Sequence, residues 1–230
     1  MSKKVIFKID KDLDFRNHLT GARVALEGSI SMSPQTSEYF KSLRDATEEE
    51  KRNIFDKRTS KFYSEEMEPV RTILIKQTQE MWDLVEDRYL NKVEEIHKKS
   101  FPLDMASGVL STTPTVYGYD FSKENPWFAC TFDSPLKAMH VATHEIMHIF
   151  FHRYFWNEYK DKFELTEKQI YKIKEAVTVI LNLEFSDIRI NSDNGHAGHE
   201  ALREKIKEDW LKYKDFEKVL EEACVYIKAE

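Results

Sequence analysis

The chain has 230 residues, a formal net charge of −6, 41% apolar and 13% aromatic residues, and only six glycines and six prolines. This is a globular composition, which excludes a disordered or low-complexity chain and suffices for one sizeable core, so residues 1–230 are read as a single folded unit. Lysine and arginine are interspersed with acids without a basic run, which argues against nucleic acid as a partner. Neither a secretory signal nor a bilayer-spanning stretch is visible, so a soluble, cytoplasmic protein with no membrane partner is expected.

In chain order, KKVIFKID suggests a short strand, and DFRNHLTGARVALEGSISMSP a modest helix ending at Gly28. From Gln35 to Ser64 a charged stretch with spaced aromatics predicts one or two amphipathic helices. Pro69 suits the first turn of a long helix to about Lys99. Its stripe of Ile73, Met81, Trp82, Val85, Tyr89, Val93 and Ile96 faces a core. These first 100 residues are thus mainly helical. TPTVYGYDF and WFACTFD, linked by the turn-prone SKENP, then read as a β-hairpin.

Ser134 followed by Pro135 marks the start of a helix carrying KAMHVATHEIMHIFFHRYF. Thr166 and Gln169 form a capping-box pattern for a helix to about Leu183. After the loop SDNGHAGH, a charged helix with Leu202, Ile206, Trp210, Leu211, Phe216, Leu220 and Val225 runs from about Glu200 toward the end. Cys130 and Cys224 stand far apart without a partner pattern and are expected to be reduced core thiols.

His140, His144, His148 and His152 recur four apart, a drifting stripe on a helix in which any adjacent pair can aim two ring nitrogens at one metal ion. The carboxylate selects among the pairs: Glu145 follows His144 and is the sole obligate charge between Ala138 and His152. Burying it without a partner costs several kcal/mol or raises its pKa, and a bound dication with its water would compensate it. HEIMH matches the HExxH zinc-peptidase pattern, which makes His144 and His148 zinc ligands and Glu145 the general base for a metal-activated water. His140 and His152 are assigned to packing or to supporting hydrogen bonds.

A catalytic zinc needs a third protein ligand. Phe151 and Tyr154 stand where a metzincin requires Gly and His, and the reversed HxxEH is absent. HExxH followed by a helix carrying Glu175-Ala176 resembles the gluzincin metallopeptidases over about Thr113 to Leu183. The resemblance implies an α+β, predominantly helical chain. A zincin-like core in residues 101–230 would place a small β-sheet before the HExxH helix. It also implies Glu175 as third ligand, Zn2+ as cofactor and a peptide or protein substrate held along an edge strand, VYGYDF or WFACTFD.

Glu184, on the apolar face of the same helix, is the competing ligand, followed by Asp187, Asp193, His196 and His199. The family's oxyanion donor is a His or Tyr, which points to His196 or His199, with Tyr117, Tyr119 and Tyr171 as alternatives. The sequence departs from the thermolysin-type pattern at Val179, where an aspartate that orients the first histidine is expected, so either another group orients His144 or the resemblance is to a distant member of the family. Two other readings stay open: a peptidase-like binding module with a structural zinc, and a metal-free helical interaction protein.

Overall fold

A computed structural model describes residues 4–24, 32–102, 104–113, 117–121 and 126–229. The chain is α+β and mostly helical, with one four-stranded sheet among the described residues. It divides into two units: Met1–Leu84 with Met105–Ala142, and Val85–Asp104 with Thr143–Glu230.

The first unit holds the sheet, in the order β1-β2-β4-β3, with β1 Val5–Lys8, β2 Ala106–Ser111, β3 Tyr119–Asp120 and β4 Trp127–Thr131. In β1, buried Val5 and Phe7 alternate with half-exposed Ile6 and Lys8, as expected of a strand with one face on a core. The pairs β1–β2 and β2–β4 are parallel, and β3 runs antiparallel to β4 with Tyr119 opposite Phe128. The expected hairpin is therefore β3–β4, although most of its SKENP link lies outside the described residues. Of the two proposed substrate strands, β3 is at an edge and β4 is interior.

The residue pattern gave no signal for β2, because ASGVLS lacks alternation and four of its six residues are small. Its glycine has a steric cause: a Cβ on Gly108 would lie 2.6 Å from the Phe7 ring of the neighbouring strand.

Helix α1, Lys11–Val24, is capped by Asp10, whose Oδ1 accepts from the backbone N–H groups of Asp12 and Leu13. Gly28, its expected end, lies outside the described residues. The buried face of α1 is polar, which is why its periodicity is weak. Asp14 Oδ1 accepts from Ser111 Oγ at 2.6 Å, and Asn17 Nδ2 donates to the same hydroxyl at 2.6 Å. The charged stretch forms two helices, α2 Pro34–Asp45 and α3 Glu48–Thr59, the second opened by a Thr47–Glu50 capping box.

The single helix expected from Pro69 to about Lys99 is instead two, α4 Glu68–Asp83 and α5 Glu86–His97. The break falls at Leu84, which is 83% exposed. Each half buries its own face in its own unit: Trp82 in the first, Tyr89, Val93 and Ile96 in the second. Ile73, expected in the stripe, is 52% exposed.

Helix α6, Pro135–Phe150, begins where Ser134 Oγ accepts from the Lys137 N–H, and the division between the units falls within it, after Ala142. A π-helical turn, Phe151–Phe155, leads into α7 Trp156–Lys162. The Thr166–Gln169 capping box opens α8 Glu167–Ala176, which passes through a 3-10 turn, Val177–Val179, into α9 Ile180–Glu184. The last expected helix is also two, α10 Glu200–Tyr213 and α11 Phe216–Ala229. Lys214, in the left-handed region at φ 49°, ends α10, and Asp215 Oδ1 then accepts from the Lys218 N–H as α11 starts. Leu211 and Val225 are consequently exposed.

Both cysteines are free and buried, and among the described residues no helix is long and apolar enough to cross a membrane.

In the second unit, His97 is buried against Phe150 and Phe216, with ring centroids 4.8 and 4.3 Å away, and its Nδ1 donates to the Val93 carbonyl at 2.8 Å. Burial pushes its pKa down to about 4. Below the ordinary imidazole value the unfolded chain takes up a proton that the folded one excludes, so stability falls as pH drops from about 6.5 to 4. The full contribution is about 3 kcal/mol. Urea titrations of His97→Phe and the parent should diverge across that window, with the variant less sensitive to acid; parallel profiles would refute this.

Candidate metal centre

The site lies within the second unit and starts from α6. One helical turn separates His144 from His148, and their rings sit 4.4 Å apart at 79°. α8 brings Glu175 to them, next to the fully buried Ala176, whose small side chain permits close helix packing. Glu175 Oε2 accepts from His148 Nε2 at 3.2 Å and lies 3.5 Å from His144 Nε2. One ligand atom from each of His144, His148 and Glu175 lies within 4.8 Å of the others, the distance range in which a single ion can bridge all three.

Electrostatics prepare the three groups differently. Burial beside Lys174 pushes His148 well below the ordinary imidazole range and keeps it neutral, the form that binds metals. Burial also opposes charge on Glu175, but His148, Lys174 and the hydrogen bonds from His144 and His148 hold it well below the usual carboxylate range. For His144, burial is outweighed by hydrogen bonds to Asp193 and Glu175, which hold it up at about 10.

Asp193 is the group that orients His144. It comes from the loop after α9, not from the position occupied by Val179. His144 Nδ1 donates to Asp193 Oδ2 at 2.7 Å, so Nε2 is the nitrogen turned toward Glu175. The aspartate is fixed in turn. Its Oδ1 accepts from Thr178 Oγ1 at 3.0 Å and from Arg203 Nη2 at 3.1 Å, while its N–H donates to Asn182 Oδ1 at 2.6 Å. Arg203 Nη2 also donates to the Asp193 carbonyl at 2.6 Å. Gly195, at φ +66°, makes room for that arginine, since a Cβ there would meet its Nη1 at 2.7 Å. Next to His144, Thr143 accepts the Tyr89 hydroxyl at its carbonyl and Arg189 Nη1 at its hydroxyl.

Glu145 is buried, and its Oε2 has no hydrogen-bond partner among the described residues. Burial, opposed by the charges of His144 and Lys174, pushes its carboxyl up to about 7. An acid so placed exchanges a proton near neutral pH.

The other candidates separate. His196 is half-exposed and brings Nε2 to 3.3 Å from Glu175 Oε2, whereas His199 opens α10 with its ring 5.9 Å from that of His196. Glu184 does not join the cluster: its Oε1 accepts from Trp210 Nε1 at 2.7 Å and from Lys214, so its position on the apolar face is explained by ion pairing. Asp187 pairs with Arg88 at 3.2 Å. His152 stacks on Trp156 at 4.5 Å, and His140 is buried. Tyr171 is exposed, while Tyr117 and Tyr119 belong to the first unit.

Sequence reasoning counted Asp193 only as a possible ligand and missed Lys174 and Arg203. A signal existed for both cations. Lys174 is spaced four residues from Ile170, and Arg203 three from Ile206 and seven from Trp210, so each charge falls on an otherwise apolar helix face.

Comparison of the chain with protein-family models, with curated proteins and with solved structures finds no match.

Proposed function

We propose that the protein is a zinc-dependent hydrolase of peptide bonds with a zincin-like core. One juxtaposition carries the reading: a buried carboxylate oxygen of Glu145 without a hydrogen-bond partner among the described residues, adjacent in sequence to His144 of a two-histidine, one-glutamate cluster. His144, His148 and Glu175 fit zinc, since two imidazoles and a carboxylate are a ligand set of catalytic zinc sites. A zinc ion held there would polarise a carbonyl group and acidify water at the open position to a pKa of about 7. Glu145 would take the proton of that water and later deliver it to the leaving amine. His196, exposed and beside Glu175, is assigned as the donor to the developing oxyanion, in preference to His199.

The same histidine favours one second reading. As a fourth ligand, His196 would close the site and make the zinc structural. Metal analysis after zinc-replete expression, with cleavage of a mixed peptide library, tests both. About one equivalent of zinc with hydrolysis supports the enzyme; zinc without hydrolysis supports the closed site; less than about a tenth of an equivalent overturns both and leaves a helical interaction protein.

Zinc uptake must also displace a proton from His144, which is held up at about 10. Calorimetry at pH 7.5 in buffers of different ionisation enthalpy should show release of at least about one proton per zinc, and none would contradict the ligand assignment.

A further inference from the structure

Lys174 is fully buried, at 0% exposure, which is rare for a lysine unless it is paired. Its Nζ lies 2.6 Å from Glu175 Oε1 and 4.6 Å from the centre of the Tyr171 ring. The two oxygens of Glu175 therefore have different surroundings. Oε1 faces the ammonium, whereas Oε2 is the atom 3.2 to 3.5 Å from the Nε2 atoms of His148, His196 and His144.

We propose that Lys174 is a positioning residue that sets how Glu175 meets the metal, holding one carboxylate oxygen so that a single oxygen, its charge largely cancelled, is offered to the ion. This rests on the zinc reading given above. Two consequences follow for that centre. With Oε1 committed to the lysine, the protein supplies two nitrogens and one oxygen, and the remaining positions stay open to water and substrate. With neutral imidazoles and a neutralised carboxylate, the ion also keeps nearly its full positive charge, which strengthens its pull on water and on a carbonyl oxygen. A carboxylate freed from the lysine would turn both oxygens to the metal, raising the coordination number and lowering the charge felt by the substrate.

The test compares full-length Lys174→Met and Lys174→Arg with the parent, each loaded with Co2+ for visible absorption and with Zn2+ for X-ray absorption. The parent should give the intense bands of four-coordinate cobalt. The methionine variant should keep one equivalent of metal but show the weaker bands of five-coordinate cobalt and a second, longer zinc–oxygen distance. Its kcat for peptide cleavage should fall about tenfold or more with KM unchanged. The arginine variant should restore the parent spectrum. Should the methionine variant need metal to fold, refolding it in Co2+ gives the same spectral readout. A methionine variant with the parent's spectrum and zinc–oxygen shell overturns the proposal, as does an arginine variant that behaves like methionine. A parent that binds neither ion overturns the metal reading as well, so the two failures are distinguishable.

Discussion

Replacing Glu145 by glutamine is expected to leave about one equivalent of zinc bound while lowering peptide hydrolysis by a factor of about 10² to 10⁴, the range over which general acid–base catalysis operates. The amide keeps the shape and volume of the side chain in a buried position but cannot accept a proton at neutral pH. His144→Ala, by contrast, removes a proposed ligand nitrogen and should abolish both metal binding and hydrolysis. The pair of variants is informative because Glu145 and His144 are adjacent on one helix, so general damage to α6 would affect both alike. Parent-like hydrolysis by the glutamine variant would leave Glu145 without its assigned role.

The second large effect is expected at Asp193. In Asp193→Asn, the amide nitrogen would face the N–H of His144 Nδ1 if Oδ1 kept its bonds to Thr178 and Arg203. Either that hydrogen bond is lost or the network turns over. Zinc affinity should drop 10- to 100-fold by chelator competition, as on loss of a group that orients a metal-binding histidine. The buried Arg203 and Arg189 would also lose their anion. Breaking a buried pair by removing one partner costs about 3–5 kcal/mol, so urea unfolding should shift by a comparable amount. An asparagine variant with the parent's zinc affinity would remove Asp193 from the metal centre.

Much of the cluster was legible because local rules govern it. Four-residue spacing places His144 and His148 on one face of a helix whatever else the chain does, and the one acid in an apolar run stands out as an electrostatic anomaly. The Thr166–Gln169 capping box likewise fixed where the helix bearing Glu175 begins. Asp193 was a different problem. It reaches His144 from a loop 49 residues away, and only the arginine, threonine and asparagine that hold that loop determine where it lies. Neither periodicity nor spacing encodes such a contact. The helix breaks at Leu84 and Lys214 were hidden for a related reason, since both joined segments are good helix formers and tertiary burial decides where each stops. β2 escaped notice because a strand whose residues are nearly all buried need not alternate.

The second unit draws on two separate stretches of chain, and this governs how the protein can be dissected. No single cut frees this unit by itself, since a fragment from Val85 onward still carries Met105–Ala142 of the first unit. A fragment starting near residue 101 would leave α5 behind, and with it the Tyr89 hydroxyl that anchors Thr143 and the His97 ring that packs under Phe150. A minimal version of this centre must carry residues 85–104 as well, joined to Thr143 by a linker that replaces the intervening strands.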